Sequence, residues 1–196
     1  MNIVCFGDSA TAGHGYGDDL RWTGLLAASL PGHTVHNRGA GGNTSAMALD
    51  RIVGDILPLL PGIVIVEFGL NDCALYPGRR RPRVSLEEFR ANLGEILDLC
   101  TAAAGRCLLI ANHAVNQPIA RQGSGRTRQE NAGPYNATIR ALASERGLPL
   151  CDIAGGIAAR GIDHRTLLLD DDVHLNPEGN RHYAELVGAA LAPLIA

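Results

Sequence analysis

The sequence predicts an α/β protein, a three-layer α/β/α sandwich in which a five-stranded parallel sheet lies between two layers of helices. Short apolar segments alternate with longer helix-like segments along the chain, and this alternation favours strand–helix–strand units. Segments 62–68 and 106–111 are nearly continuous in apolar residues, as strands buried on both faces should be. A chain of 196 residues suits one domain with a sizeable core, so we expect a single domain over 1–196.

The elements follow one another in a regular order. The predicted strands are 2–6, 33–37, 62–68, 106–111 and 148–152. The predicted helices lie near 18–30, 44–57, 85–104, 128–147 and 177–193. Ser85 and Glu88 form a capping-box pattern, Gly105 and Gly147 are placed as helix stops, and Pro177 suits a first helical turn. Right-handed crossovers between such strands give a parallel, flavodoxin-like sheet.

Composition narrows the class of protein and its partners. The net charge is −3 and the charged fraction is 19%, so no nucleic-acid or membrane-surface partner is indicated. The five cysteines are scattered without metal-ligand spacing, and Cys5, Cys107 and Cys151 fall in apolar segments where they are expected to be buried. No secretory signal or membrane-spanning run is visible. We therefore expect a reduced, cytoplasmic protein without a metal, and its oligomeric state stays open.

The parallel-sheet prediction also gives the place of a reactive site. Such sites lie beyond the carboxyl ends of the strands, and Ser9 follows the first strand in "FGDSATAG". Gly7 and Asp8 let the chain turn sharply at this point, with Asp8 expected to cap or hold the loop. Ser9 alone fits either a turn residue or a nucleophile, so a base and anion-binding groups are needed to decide.

A candidate base stands near the C-terminus in "DDDVHLNPEGNRHYAEL". Asp171 precedes His174 by three residues, and a carboxylate in a turn can hold the tautomer of an imidazole whose other nitrogen accepts a proton. Asp170 and Asp172 are competing carboxylates, but the three-residue spacing favours Asp171. The alternative is an acidic helix entry with an incidental histidine.

Two further segments offer N–H donors at the same edge. "NRGAGGNT" follows the second strand, where glycines allow close backbone approach to a ligand; a plain strand-to-helix turn is equally compatible. "GLNDC" follows the third strand, and Asn71 there can aim an amide at a developing oxyanion. The alternative for Asn71 is a common turn residue.

Taken together, four blocks resemble the SGNH (GDSL-type) hydrolase family: "FGDSATAG" with Ser9, "GAGGNT" with Gly42, "GLND" with Asn71, and "DDVH" with Asp171 and His174. The resemblance covers essentially the whole chain. It implies the SGNH-hydrolase fold, Ser9 as nucleophile, His174 as base and Asp171 as its orienting partner. It also implies an oxyanion hole from the N–H groups of Ser9 and Gly42 and the side chain of Asn71, with no cofactor. Gly42 is preferred to Gly41 because the family's glycine precedes an Asp/Asn-Thr pair.

The resemblance implies a serine esterase that acts on small-molecule acyl esters with small acyl groups. The alternatives are an acyl thioesterase, a lysophospholipase-like enzyme, or a non-catalytic flavodoxin-like ligand-binding module. Candidate substrate contacts are Arg79, His113 and Asn116. A solvated loop is the simpler interpretation of the basic segment Arg79, Arg80, Arg81 and Arg83, and a loop hydrogen bond is the simpler one of His113. Trp22 is expected in the core, and His182 is expected to be structural.

Overall fold

Five parallel strands form the central sheet in the computed structural model, which describes residues 1–118 and 122–196. The strands are β1 (Asn2–Gly7), β2 (Thr34–Gly39), β3 (Gly62–Glu67), β4 (Gly105–Ala111) and β5 (Leu150–Asp152). Their order in the sheet is β2-β1-β3-β4-β5, and every pairing is parallel. This is the flavodoxin-like order, so the predicted three-layer α/β fold is confirmed.

Seven α-helices are found in the described residues, two more than predicted. They are α1 (Ser9–Ala12), α2 (Trp22–Ser29), α3 (Ser45–Asp55), α4 (Leu86–Ala102), α5 (Arg128–Arg146), α6 (Ile153–Ala159) and α7 (Pro177–Ile195). The two helices that the sequence analysis missed, α1 and α6, are four and seven residues long. Helix α6 follows β5 directly, and α1 follows β1 after the single residue Asp8. Segments this short show too little apolar periodicity to be recognised.

The core consists of two apolar layers, one on each face of the sheet. Ile3 and Cys5 point to the face that α2, α6 and α7 cover, whereas Val4 and Phe6 point to the face that α3, α4 and α5 cover. All four side chains are fully buried. Because successive strand residues alternate between faces, burial on both faces requires the uninterrupted apolar segments seen in the sequence. All five cysteines are free and buried, which confirms the prediction for Cys5, Cys107 and Cys151, and Trp22 is also fully buried.

The predicted helix signals are correct with one exception. Ser85 and Glu88 form a capping box at α4, and Gly147 ends α5 in the left-handed conformation. The prediction that Gly105 stops α4 is wrong, because Ala104 adopts the left-handed conformation there (φ +60°) and Gly105 begins β4. A Cβ atom at Gly105 would lie 2.8 Å from the Cys100 carbonyl oxygen, so glycine is required for close packing rather than for helix termination.

Candidate active site

The carboxyl end of β1 places Ser9 at the edge of the sheet. Asp8 is the N-cap of α1, and its Oδ1 accepts a hydrogen bond of 2.9 Å from the Ala10 N–H. This confirms the prediction that Asp8 holds the turn. A Cβ atom at Gly7 would lie 2.1 Å from the Thr11 Oγ1 atom, so only glycine allows α1 to begin this close to the strand. Ser9 is the first residue of that helix.

Ser9, His174 and Asp171 form one hydrogen-bonded chain. The His174 Nε2 atom lies 2.9 Å from the Ser9 Oγ atom, and His174 Nδ1 is hydrogen-bonded to Asp171 Oδ2. Asp171 Oδ1 accepts hydrogen bonds of 2.9 Å from the backbone N–H groups of Val173 and His174. Burial by itself would raise the pKa of Asp171, but the bonds from the His174 ring and the two N–H groups outweigh it and lower the pKa to about 2. The carboxylate is therefore ionised at neutral pH.

The neighbouring carboxylates occupy other positions. Asp170 is exposed, and Asp172 adopts a left-handed backbone conformation with φ +63°. Its Oδ1 accepts a hydrogen bond of 3.2 Å from Asn116 Nδ2. Of the three consecutive aspartates, Asp171 is the one that contacts the His174 ring.

The side-chain amide of Asn71 lines the same cavity as Ser9 and His174, but both of its N–H groups already have acceptors. Nδ2 donates to Asp8 Oδ2 over 2.8 Å and to the Asn43 carbonyl oxygen over 3.0 Å. The amide therefore connects the turn after β1 to the glycine loop after β2. Its orientation is fixed before any ligand is present, which is a property of preorganised donors.

Two arginines hold the glycine loop. Arg51 of α3 donates from Nε to Asn43 Oδ1 over 2.8 Å and from Nη2 to the Gly7 carbonyl oxygen over 3.0 Å. Arg83 donates from Nη1 to the carbonyl oxygen of Gly42 over 2.9 Å. Gly42 has φ +73°, a value that favours glycine. One member of the basic segment is thus engaged with the loop at the site.

A buried pair of carboxyl groups supports the turn after β1. Glu67 Oε2 accepts hydrogen bonds from Thr11 Oγ1 (2.8 Å) and from the Asp8 N–H (3.2 Å). Burial raises the pKa of Glu67 well above its ordinary value, and the negative charge of Asp8 raises it further. Burial also raises the pKa of Asp8, to about 6, against the lowering effect of its hydrogen bonds. The burial and the neighbouring Asp8 charge therefore favour the protonated form of Glu67. The sequence analysis did not single out Glu67, whose only signal was a charged residue inside an apolar strand.

A cavity of about 350 Å³ opens above Ser9. Its lining includes the three residues of the hydrogen-bonded chain and also Asp8, Ala10, His14, Gly41, Gly42, Leu70, Asn71, His113, Gln117, Arg128 and Val173. Both candidate glycines are present, so the choice between Gly41 and Gly42 stays a prediction. The volume lies at the small end of the range for ligand pockets, about 300–1,000 Å³.

His113 lines the cavity from a buried position. It is 4% exposed, and its Nε2 atom lies 2.8 Å from the Val173 carbonyl oxygen. Since a carbonyl oxygen only accepts, Nε2 carries the proton. Burial lowers the pKa of His113 to about 4, so the ring is neutral at physiological pH. This hydrogen bond ties the loop after β4 to the turn that carries His174, as the simpler interpretation of His113 predicted.

The other candidate substrate contacts lie outside the cavity. Asn116 is exposed and bonded to Asp172. Arg79 lies in an exposed loop and lines a separate surface depression with Tyr76 and the neighbouring arginines. His182 lies on α7, where its ring contacts Arg160 and Glu178. None of these residues lines the cavity above Ser9, and a substrate contact by Arg79 or Asn116 stays a prediction.

One group of side chains has the composition of a metal site. The ligand atoms of His14, Asp171 and His174 lie within 4.8 Å of one another. However, these atoms already have hydrogen-bond partners: His174 Nδ1 pairs with Asp171 Oδ2, and His174 Nε2 pairs with Ser9 Oγ. The rings of His14 and His174 are nearly parallel, with an interplanar angle of 9°. Nitrogen lone pairs lie in the ring planes and therefore do not converge on one point, so this geometry does not favour a metal.

The site holds a serine hydroxyl hydrogen-bonded to an imidazole, which is in turn hydrogen-bonded to a carboxylate, beside a cavity. This arrangement is typical of serine hydrolases. Comparison with known proteins gives the family. Residues 5–182 match the GDSL-like lipase/acylhydrolase family, and the chain belongs to that family. This membership places it among the carboxylic ester hydrolases.

Individual relatives match different shares of this chain. The isoamyl acetate-hydrolyzing esterase 1 homolog of Bos taurus is 31% identical over 98% of this chain and 80% of that protein. The lipoprotein YqeF of Bacillus subtilis (strain 168) is 35% identical over a match that covers 47% of this chain and 40% of YqeF. The acetyl xylan esterase AlAXEase has a similar fold, with a TM-score of 0.82, 21% identity and coverage of 97% of this chain and 100% of that one.

The prediction of a cytoplasmic location stays a prediction, since YqeF is named a lipoprotein. Every helix within residues 1–118 and 122–196 falls short of the length or apolarity needed to cross a membrane.

Proposed function

We propose that this protein is a serine esterase that hydrolyses carboxylic esters of small acyl groups. The observation that carries the proposal is the continuous hydrogen-bonded chain from Ser9 Oγ through the His174 ring to Asp171. In the proposed reaction Ser9 Oγ attacks the ester carbonyl carbon while its proton passes to His174 Nε2. Asp171, ionised because its pKa is about 2, stabilises the imidazolium that forms.

The remaining steps return the enzyme to its starting state. The tetrahedral intermediate collapses, the alcohol leaves with the proton from His174 Nε2, and an acyl-serine ester remains on Ser9. Water then attacks this ester, gives its proton to His174, and the acid departs as Ser9 Oγ recovers the proton. All of these proton transfers use His174 Nε2, while Nδ1 keeps its hydrogen bond to Asp171.

The proposed oxyanion hole consists of the N–H groups of Ser9 and Gly42 and the amide of Asn71. Support for Asn71 comes from its fixed position beside Asp8 and Asn43. To bind an oxyanion, one Asn71 N–H must leave its present acceptor or share its hydrogen with the substrate oxygen. Such a donor is worth about 3 kcal/mol of barrier lowering in comparable enzymes.

The cavity supports a preference for small acyl groups. A volume of about 350 Å³ has room for a short acyl group and part of an alcohol, and its lining carries several polar side chains. The names of two similar proteins point the same way, since one is named an isoamyl acetate-hydrolyzing esterase 1 homolog and the other an acetyl xylan esterase. We therefore propose acetyl and similarly short esters as substrates.

The test compares purified wild type with Ser9→Ala on p-nitrophenyl esters of two to twelve carbons and on acetylated sugars. We expect hydrolysis that is fastest with acetate, and a loss of about 10³-fold or more in kcat in the variant. Ser29→Ala, an exposed serine on α2, is the matched control and should keep full activity. Equal rates for wild type and Ser9→Ala would contradict the proposal, and an acetyl thioester included in the panel tests thioesterase activity.

A further inference from the structure

A second imidazole covers one face of the His174 ring. The ring centroids of His14 and His174 lie 3.6 Å apart with an interplanar angle of 9°, which is a stacked arrangement. His14 is itself exposed, so burial of the side chain does not account for its position. The contact connects the turn after α1 to the turn that carries Asp171.

The backbone that delivers this ring is unusual. Gly13, His14 and Gly15 have φ values of +89°, +33° and +85°, three consecutive residues in the left-handed region. Glycine adopts that region freely, whereas a residue with a Cβ atom does so at a cost in energy. A strained non-glycine residue that persists in contact with reacting groups is typical of functional sites.

We propose that His14 is a positioning residue that holds the His174 ring in the orientation needed for proton transfer, an inference that rests on the proposed esterase function. The hydrogen bonds of His174 to Ser9 and Asp171 lie in the plane of its ring. They therefore give only weak resistance to a rotation that tilts the ring out of this plane. A parallel ring at 3.6 Å blocks tilting toward one side.

The stack also acts on the charged state. During the reaction His174 becomes an imidazolium, and the face of a neutral aromatic ring attracts a cation. An aromatic face at this distance therefore favours the state that follows proton transfer from Ser9. The effect concerns the chemical step and not the affinity for the ester, so it should change kcat more than KM.

Two substitutions separate the ring from the backbone. His14→Ala removes the stack and keeps the left-handed strain, whereas His14→Gly removes both. If the ring is the active feature, both variants should lose about fivefold to tenfold in kcat on p-nitrophenyl acetate, with KM within twofold of wild type. His14→Phe keeps an aromatic face and should restore at least half of the lost kcat.

A spectroscopic readout tests the orientation directly. The His174 Nδ1 proton, bonded to Asp171, should give a low-field NMR resonance in wild type and His14→Phe, and this resonance should broaden or vanish in His14→Ala. His182→Ala, which removes a histidine of α7 that does not line the cavity, is the matched control and should leave kcat and the resonance unchanged.

The outcomes distinguish this inference from the proposed function. If wild type hydrolyses the ester, Ser9→Ala does not, and His14→Ala and His14→Gly retain wild-type kcat, then the positioning role is wrong and the esterase proposal stands. A loss that His14→Phe fails to recover would also overturn the role of an aromatic face. If Ser9→Ala is as active as wild type, the esterase proposal itself fails.

Discussion

Replacing Asp171 by Asn is the sharpest perturbation of the proposed machinery, because the two side chains have nearly the same shape. The Asn oxygen can still accept the two backbone N–H bonds of 2.9 Å from Val173 and His174. That leaves the Asn NH₂ group facing His174 Nδ1, which must then act as an acceptor. The ring proton moves to Nε2, and Nε2 can no longer take the proton of Ser9.

The expected magnitudes differ for activity and stability. We expect kcat on p-nitrophenyl acetate to fall by about 10³- to 10⁴-fold, because the wrong tautomer prevails. The pKa of Asp171 is lowered to about 2, and its contribution to stability is present above the ordinary carboxyl range and lost as pH falls toward 2. Since the Asp171 side chain is 38% exposed, screening reduces that contribution, and we expect the variant to lose only about 1 kcal/mol of unfolding free energy at pH 7.

The assay pairs steady-state kinetics with urea denaturation at pH 7. Asp172→Asn is the matched control, since Asp172 bonds to Asn116 and not to the imidazole, and it should retain activity within about threefold. If Asp171→Asn keeps more than a tenth of the wild-type kcat, or if Asp172→Asn is the more damaging change, the assignment of the carboxylate partner is wrong.

Two further predictions concern the surroundings of the site. Arg83→Ala removes the bond to the Gly42 carbonyl oxygen and should lower kcat/KM about twofold to fivefold by loosening the glycine loop. The control is Arg80→Ala, since Arg80 is exposed in the same basic segment, and this variant should change kcat/KM little. Equal effects of the two variants would contradict a specific role of Arg83 in holding the glycine loop. Glu67→Gln should flatten the pH dependence of stability. Because the pKa of Glu67 is raised in the folded protein, the Glu67 carboxyl ionises in the unfolded chain above pH 4.5 while it stays protonated in the folded one. Wild type should therefore lose up to about 1.4 kcal/mol of unfolding free energy per pH unit above that value. Urea denaturation at pH 5, 6, 7 and 8 measures this slope, and parallel slopes for the variant and wild type would refute the buried proton.

Local patterns predicted most of the fold because they report burial directly. The segments 62–68 and 106–111 are nearly continuous in apolar residues since both faces of β3 and β4 are covered. Right-handed crossovers between the strands give a parallel sheet. Boundaries were less accurate. α2 begins at Trp22 rather than near 18, and α1 and α6 were missed, because the contacts that stabilise such short helices are tertiary.

The sequence by itself determined which chemical groups are available and which edge of the sheet they occupy. Ser9 and Asn71 each follow a strand whose end a parallel sheet brings to its carboxyl edge, and His174 lies in the loop before the last helix, which can reach that edge. Only the tertiary structure decided that Asp171 reaches the imidazole, that both Asn71 N–H groups are engaged, that Asn116 and Arg79 lie outside the cavity, and that His14 stacks on His174. The physical reason is that these contacts depend on side-chain directions, which are fixed only when the layers pack and bring distant segments together.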